Sequence, residues 1–229
     1  MNISYYYNVF KMVKKLESAI KGSMIRNGLF IHVGSSHVYI TIVQDGKEVE
    51  KSRETSQVGL YAMVQDLNIL RLSDLDRIIK AYLYVPLDYE KEAKRIKDLP
   101  PHSFTTNEEG IKLCESIDRL QCISGPESLF SRTGHSQFKN NPLIPEMLKR
   151  CLQYSKNWEK IVGNIVLSGG GSTLSGFPER IYKEVVNLVP SDLASKVNVV
   201  ADPKRDQYVW RGASYHTFND ICNESNDSY

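Results

Sequence analysis

Apolar residues recur at helical spacing at Val9, Val13, Leu16 and Ile20, with Lys11, Lys14, Lys15 and Lys21 on the other faces. This predicts an amphipathic helix over 8–21, ended by Gly22. The period then changes. Short apolar runs at 29–33 and 39–43, broken by Gly34-Ser35-Ser36 and followed by Asp45-Gly46, predict neighbouring strands joined by tight turns. Helical spacing returns over 58–67 and 75–81, and 82–87 reads as a strand carrying a proline. The stretch 96–107, with Pro100-Pro101, reads as a loop and a candidate boundary before a pair of short strands within 111–123. Leu143, Met147, Leu148, Cys151 and Leu152 form one apolar helical face just after Pro142. Residues 164–167 are a buried-type strand that runs into Gly169-Gly170-Gly171. A helix is predicted over 178–188, with Ile181, Val185 and Leu188 inward.

Composition narrows the class without naming a function. The chain has 229 residues, 41% hydrophobic and 24% charged, enough apolar side chain for one large or two small folded units. With 29 basic against 27 acidic residues the net charge is +2, so no global field marks a nucleic-acid or membrane binder. Cys114, Cys122, Cys151 and Cys222 contain no C-x-x-C pair, which excludes a zinc ribbon or dithiol redox motif and makes a reducing compartment the expectation. The first ten residues lack the basic start and apolar run of an export signal, and no stretch has the length to cross a bilayer. A soluble intracellular protein is expected.

Candidate chemistry lies where strand, glycine turn and helix follow one another at 164–188. Glycines let backbone approach a ligand with no Cβ in the way, and the next helix offers free N–H groups. The pattern is neither a Walker loop nor G-x-G-x-x-G. The same glycines also suit a tight turn with no ligand at all. His32, His37, His102, His135 and His216 show no ligand spacing, so no metal site is predicted. His32, at a strand end with no titratable neighbour in sequence, reads as a hydrogen-bonded structural residue.

Residues 164–176 resemble, in order and length, the strand and adenosine loop of actin and the actin-related proteins. The resemblance continues through the helix at 177–190, the strand at 197–200, Asp202-Pro203 and Val209-Trp210-Arg211-Gly212-Ala213-Ser214. Upstream, Gly125-Pro126-Glu127-Ser128-Leu129-Phe130 is similar to the family's P-E-x-L-F segment, and residues 83–90 to its strand-to-helix junction. The resemblance implies an α/β fold: a single actin-like (ribonuclease H-like) half, with a mixed sheet flanked by helices. On this reading 1–229 is the carboxy-terminal actin-like domain, with a reduced inserted subdomain at about 50–81. The family's amino-terminal domain, with its first phosphate loop, has no counterpart.

The resemblance also marks where nucleotide contacts would fall. The family's second phosphate loop, an aspartate-serine-glycine-aspartate-glycine turn, matches His32-Val33-Gly34-Ser35-Ser36, so Gly34 persists while both acids are lost. Its lysine and glutamate fall on Ile79 and Lys80, its tyrosine on Leu174 and its base-side lysine on Asp206. Gly34, Gly169, Gly170 and Gly171 are the residual loop positions, expected to be structural. No catalytic residue, no metal and no cofactor is expected, beyond weak or vestigial ATP. The turn at Asp202-Pro203 and Trp210-Arg211-Gly212-Ala213 resemble divergent nuclear actin-related proteins of chromatin remodellers. This implies a non-catalytic scaffold in the nucleus, bound to protein subunits of a larger complex, with indirect contact to DNA or histones and none to membrane. Two alternatives stand beside it: a cytoplasmic, cytoskeletal actin-related protein of dynactin or ATP-binding type, and a gene-model fragment.

Overall fold

The computed structural model describes residues 15–64, 72–108, 111–132, 140–155 and 157–215. The predicted helix residues 8–14 and 65–67, His135, His216 and Cys222 lie outside these. At the centre is the strand Gly28–Val33 (β1), buried at every position. Such a run needs cover on both faces, and the two-residue period of a strand divides it between two cores. Leu29, Ile31 and Val33 join Val38, Ile40 and Ile42 of strand Val38–Gln44 (β2) and Ile165 and Leu167 of strand Ile165–Ser168 (β7) in the larger core. Phe30, Val43 and Val166 face the smaller one, closed by Leu16, Ala19 and Ile20 of helix Lys15–Ser23 (α1) and by Tyr208.

The main sheet adds strands Lys47–Glu48 (β3), Glu54–Ser56 (β4) and Val199–Val200 (β8), in the order β3-β2-β1-β7-β8 with β4 also on β2. β1 runs antiparallel to β2, with Leu29 opposite Ile42, and parallel to β7, with Leu29 opposite Ile165 and His32 opposite Ser168. β7 and β8 are parallel. This is the mixed, helix-flanked sheet expected of an actin-like, ribonuclease H-like α/β unit. The larger core is covered by helices Leu60–Val64 (α2), Leu72–Tyr82 (α3), Ile144–Leu152 (α6), Trp158–Val162 (α7) and Phe177–Leu188 (α8). Val166, Leu167, Ile181, Val185, Ile31 and Leu148, inward by phase, are all buried. Among the described residues no helix is long and apolar enough to span a bilayer.

Several local expectations are corrected. Residues 82–87 form no strand of the sheet: Tyr82 ends α3, and Tyr84 makes one isolated parallel bridge to Ser175. Pro86 has no N–H to extend a ladder, so this stretch passes the turn at Ser175 with a single bond, Val85 N–H to Ser175 O at 2.8 Å. The stretch read as a loop, 96–107, starts only at the last residue of helix Tyr89–Ile96 (α4), which is capped by the Asp88 carboxylate on Lys91 N–H. That stretch holds strand His102–Glu108 (β5), paired antiparallel with Ile111–Ile117 (β6). Residues 121–127 form a helix, Gln121–Glu127 (α5), not a second strand. Within the segment read as a reduced inserted subdomain, about 50–81, β4 pairs with β2, and Val58, Ala62, Met63, Ile78 and Ile79 are buried in the larger core.

Gly22 does not end its helix. A Cβ there would lie 1.9 Å from the Tyr208 carbonyl, and one on Gly212 would lie 1.8 Å from the Ser18 carbonyl. The two glycines let α1 and the helix at 208–215 (α9) pack backbone to backbone. α8 is tied down differently. The Arg180 guanidinium, buried, donates to both carboxylate oxygens of Glu127 (2.9 and 3.0 Å) and to the Pro86 carbonyl (2.8 Å), and lies 4.6 Å above the Phe130 ring centroid.

Candidate functional site

In a sheet with parallel strands, ligand sites form beyond the carboxyl ends, where loops leave in different directions. Here that place is where β1 and β7 end side by side. β1 runs into Gly34-Ser35-Ser36, whose backbone is held on both sides. Gly34 N–H donates to His37 O (2.9 Å), while the Gly34 and Ser35 carbonyls accept from Leu60 and Tyr61 N–H at the start of α2 (3.0 and 2.8 Å). β7 runs into Gly169-Gly170-Gly171. Gly169 has φ +86°, and a Cβ on it would lie 2.3 Å from Val33 O; one on Gly171 would lie 2.4 Å from Val33 Cγ1. Both glycines are therefore required by the close approach of the two strand ends. Gly170 is different, because a Cβ there meets nothing within 4 Å.

Arg205, which the sequence did not single out, holds the glycine turn from behind. Its carbonyl accepts from Gly169 N–H (3.1 Å), and its buried guanidinium donates to Ser172 O (2.9 Å) and Asp202 O (2.9 Å). Ser172 Oγ in turn donates to Gly169 O (2.7 Å). Nothing in hydropathy or spacing identifies an arginine as a buried brace, since its role depends on carbonyls brought in by folding.

His32 stands between the two turns. It is 2% exposed, its Nδ1 shares a hydrogen bond with Ser168 Oγ at 3.0 Å, and its Nε2 is buried without a partner. Burial, followed by the nearby positive charge of Lys15, pushes its pKa down to about 4, so the ring is neutral at physiological pH. The other positions expected on the nucleotide cleft differ in exposure, and Lys80 and Asp206 lie near enough for their charges to interact. Ile79 and Leu174 are buried, Asp206 is exposed, and Lys80 is exposed and paired with Asp76 at 2.7 Å. Among the described residues no three His, Cys, Asp or Glu side chains cluster to hold a metal ion. Cys122 and Cys151 are free, buried thiols whose pKa values burial raises to about 11 and about 12.

A strand, glycine turn and helix at 165–188, on a sheet of this order, is matched by a family model. Residues 115–222 match the model described as Actin. Actin-like protein 7B of Rattus norvegicus is 35% identical over 102 residues, covering 42% of this chain and 22% of that protein. Actin-like protein 7A of Homo sapiens is 48% identical over 54 residues, 24% of this chain and 12% of that protein, and its Macaca fascicularis counterpart matches to the same extent.

Residues 115–222 of the chain are thus similar to the actin family. The chain matches between about an eighth and just over a fifth of the length of these relatives, 12% and 22%. The family match begins within β6 and contains the glycine turn of β7, whereas β1, His32 and Gly34 precede it. It is the pairing of β1 with β7 that brings the two turns of this candidate site together. Actins imply a magnesium nucleotide at this place, and the residues present do not fit one. The charge that acts on His32 is the ammonium of Lys15, and a hard divalent cation prefers carboxylate oxygens.

Proposed function

We propose that this chain is an actin-related, non-catalytic scaffold subunit of a larger assembly. The observation that carries the reading is the replacement of the two acids of the second phosphate loop by His32 and Ser35, with a neutral, buried imidazole at the strand end. Phosphoryl transfer is catalysed by positioning and by charge stabilisation around a metal-bound phosphate, and neither group supplies these. ATP binding is weak or absent on this reading, and hydrolysis does not occur. The finer assignment is to a nuclear chromatin-remodelling complex, where the chain binds partner subunits and lies near DNA or histones. It rests on the likeness of Asp202-Pro203 and 210–213 to divergent nuclear actin-related proteins.

A second reading is a cytoskeletal actin-related protein in the cytoplasm; the relatives quoted above are named actin-like protein 7A and 7B, and those names specify no nuclear assembly. Tagged full-length chain, fractionated with nuclear and cytoplasmic extracts and analysed by mass spectrometry, separates the two. Co-sedimentation with a remodelling ATPase supports the nuclear reading, and co-sedimentation with filamentous actin or dynactin supports the second. Phosphate release from Mg-ATP above background, abolished by His32→Ala, would overturn both and restore an enzyme.

A further inference from the structure

The geometry points to His32 as a built-in filler between the two turns, so that this end of the sheet admits neither a divalent metal nor a metal-bound triphosphate and keeps its shape without either. The ring is covalently part of β1 and is tied to β7 by Ser168, so it joins the two strand ends directly. It also occupies the space between the turns. The point where a Cβ on Gly34 would sit is 3.3 Å from His32 Nε2, and the corresponding point on Gly169 is 3.1 Å from His32 Cε1. Both turns thus close onto the same imidazole.

Two further observations agree with a filler. Lys15 Nζ lies 3.3 Å from the same point beside Gly34, so the ammonium and Nε2 are within about twice that distance of each other. A divalent cation entering here meets a positive charge and a neutral ring. The bare Nε2 is the second: among the described side chains it is the one buried nitrogen or oxygen left without a hydrogen bond. A buried polar atom without a partner is costly and rare in folded proteins. Its persistence is explained if the ring is kept for the volume it fills and for the bond made by its other nitrogen.

This inference rests on the ligand-independent reading of the site and is separate from the choice of partner. A chain that co-sediments with a remodeller and still binds Mg-ATP here would overturn the filler and leave the scaffold standing. The test is hydrogen–deuterium exchange on the full chain, alone and with millimolar MgCl2, Mg-ATP or inorganic phosphate. The filler predicts that none of the three slows exchange in 28–37 or 165–174 by as much as about twofold. His32→Ala is expected to speed exchange in both segments by about tenfold or more while leaving 144–152 unchanged. Should that variant fail to fold, Ser168→Ala keeps the ring and removes its tie, and the same two segments are expected to exchange faster. Slowing by MgCl2 or Mg-ATP in the unaltered chain, or a folded variant whose two turns stay as protected as before, overturns the inference.

Discussion

Protonating His32 places a charge on a ring that is 2% exposed and whose Nε2 has no acceptor. The charges and rings that face it are Lys15 from α1 and Tyr39 from β2, with Ser168 from β7 as its hydrogen-bond partner, and none is a carboxylate. With a folded value of about 4 against about 6.5 unfolded, the unfolded chain takes up this proton first as pH falls. The stability that His32 contributes is complete above about pH 6.5 and is lost progressively down to about pH 4, in all roughly 3 kcal/mol. Urea unfolding at pH 7 and pH 5 should therefore differ by about 2 kcal/mol more in the natural chain than in His32→Phe. Equal differences would mean that the ring is protonated in the fold. At this scale the sequence was partly legible. A strand-end histidine read as a hydrogen-bonded structural residue, but Ser168, 136 positions away, is a partner that only pairing reveals.

The same glycine symbol served three purposes among the elements, and spacing could not tell them apart. Gly22 read as a helix stop because glycine favours helix ends, yet it lies within α1 and gives α9 room to approach. Gly212→Ala is expected to destabilise by at least about 2 kcal/mol, the upper part of the usual cost of overpacking, because its methyl would collide with the Ser18 carbonyl. Gly170→Ala, with open space around the added methyl, is expected to lie within about 0.5 kcal/mol of neutral. Denaturant midpoints of the two variants make the comparison.

Arg180 provides a second test between elements. Arg180→Met strands the buried Glu127 carboxylate and should cost about 3–5 kcal/mol, whereas Arg180→Met with Glu127→Leu should recover most of the loss. A double variant as unstable as the single one would show that the pair stabilises in its own right. The misread elements have physical causes of the same kind. The apolar, β-prone residues 82–85 lack a ladder partner, while polar His102–Glu108 is a strand because its backbone pairs with β6.

At the scale of the whole molecule, the fold class was legible because β1, β2 and β7 are apolar runs of strand length and because the segments from Gly125 onward carry the family pattern. The site was half legible. Gly169, Gly170 and Gly171 stand out in the sequence, but that two of them serve the contact with Val33, and that Arg205 braces them, depends on which strands lie side by side. That β4 joins the main sheet depends likewise on pairing that hydropathy does not encode.

The central pairing of this sheet also sets a timetable for biosynthesis. His32 and Ser168 are 136 residues apart, so β1 leaves the ribosome long before β7 exists. At about 5–20 residues per second, the interval is of order ten seconds. Throughout it, a strand destined to be buried at all six positions has β2 on one edge and an open row of amides and carbonyls on the other. Such an edge is an invitation to pair with another nascent chain. The feature that assembles the site in the finished molecule thus also leaves its central strand half-paired during synthesis.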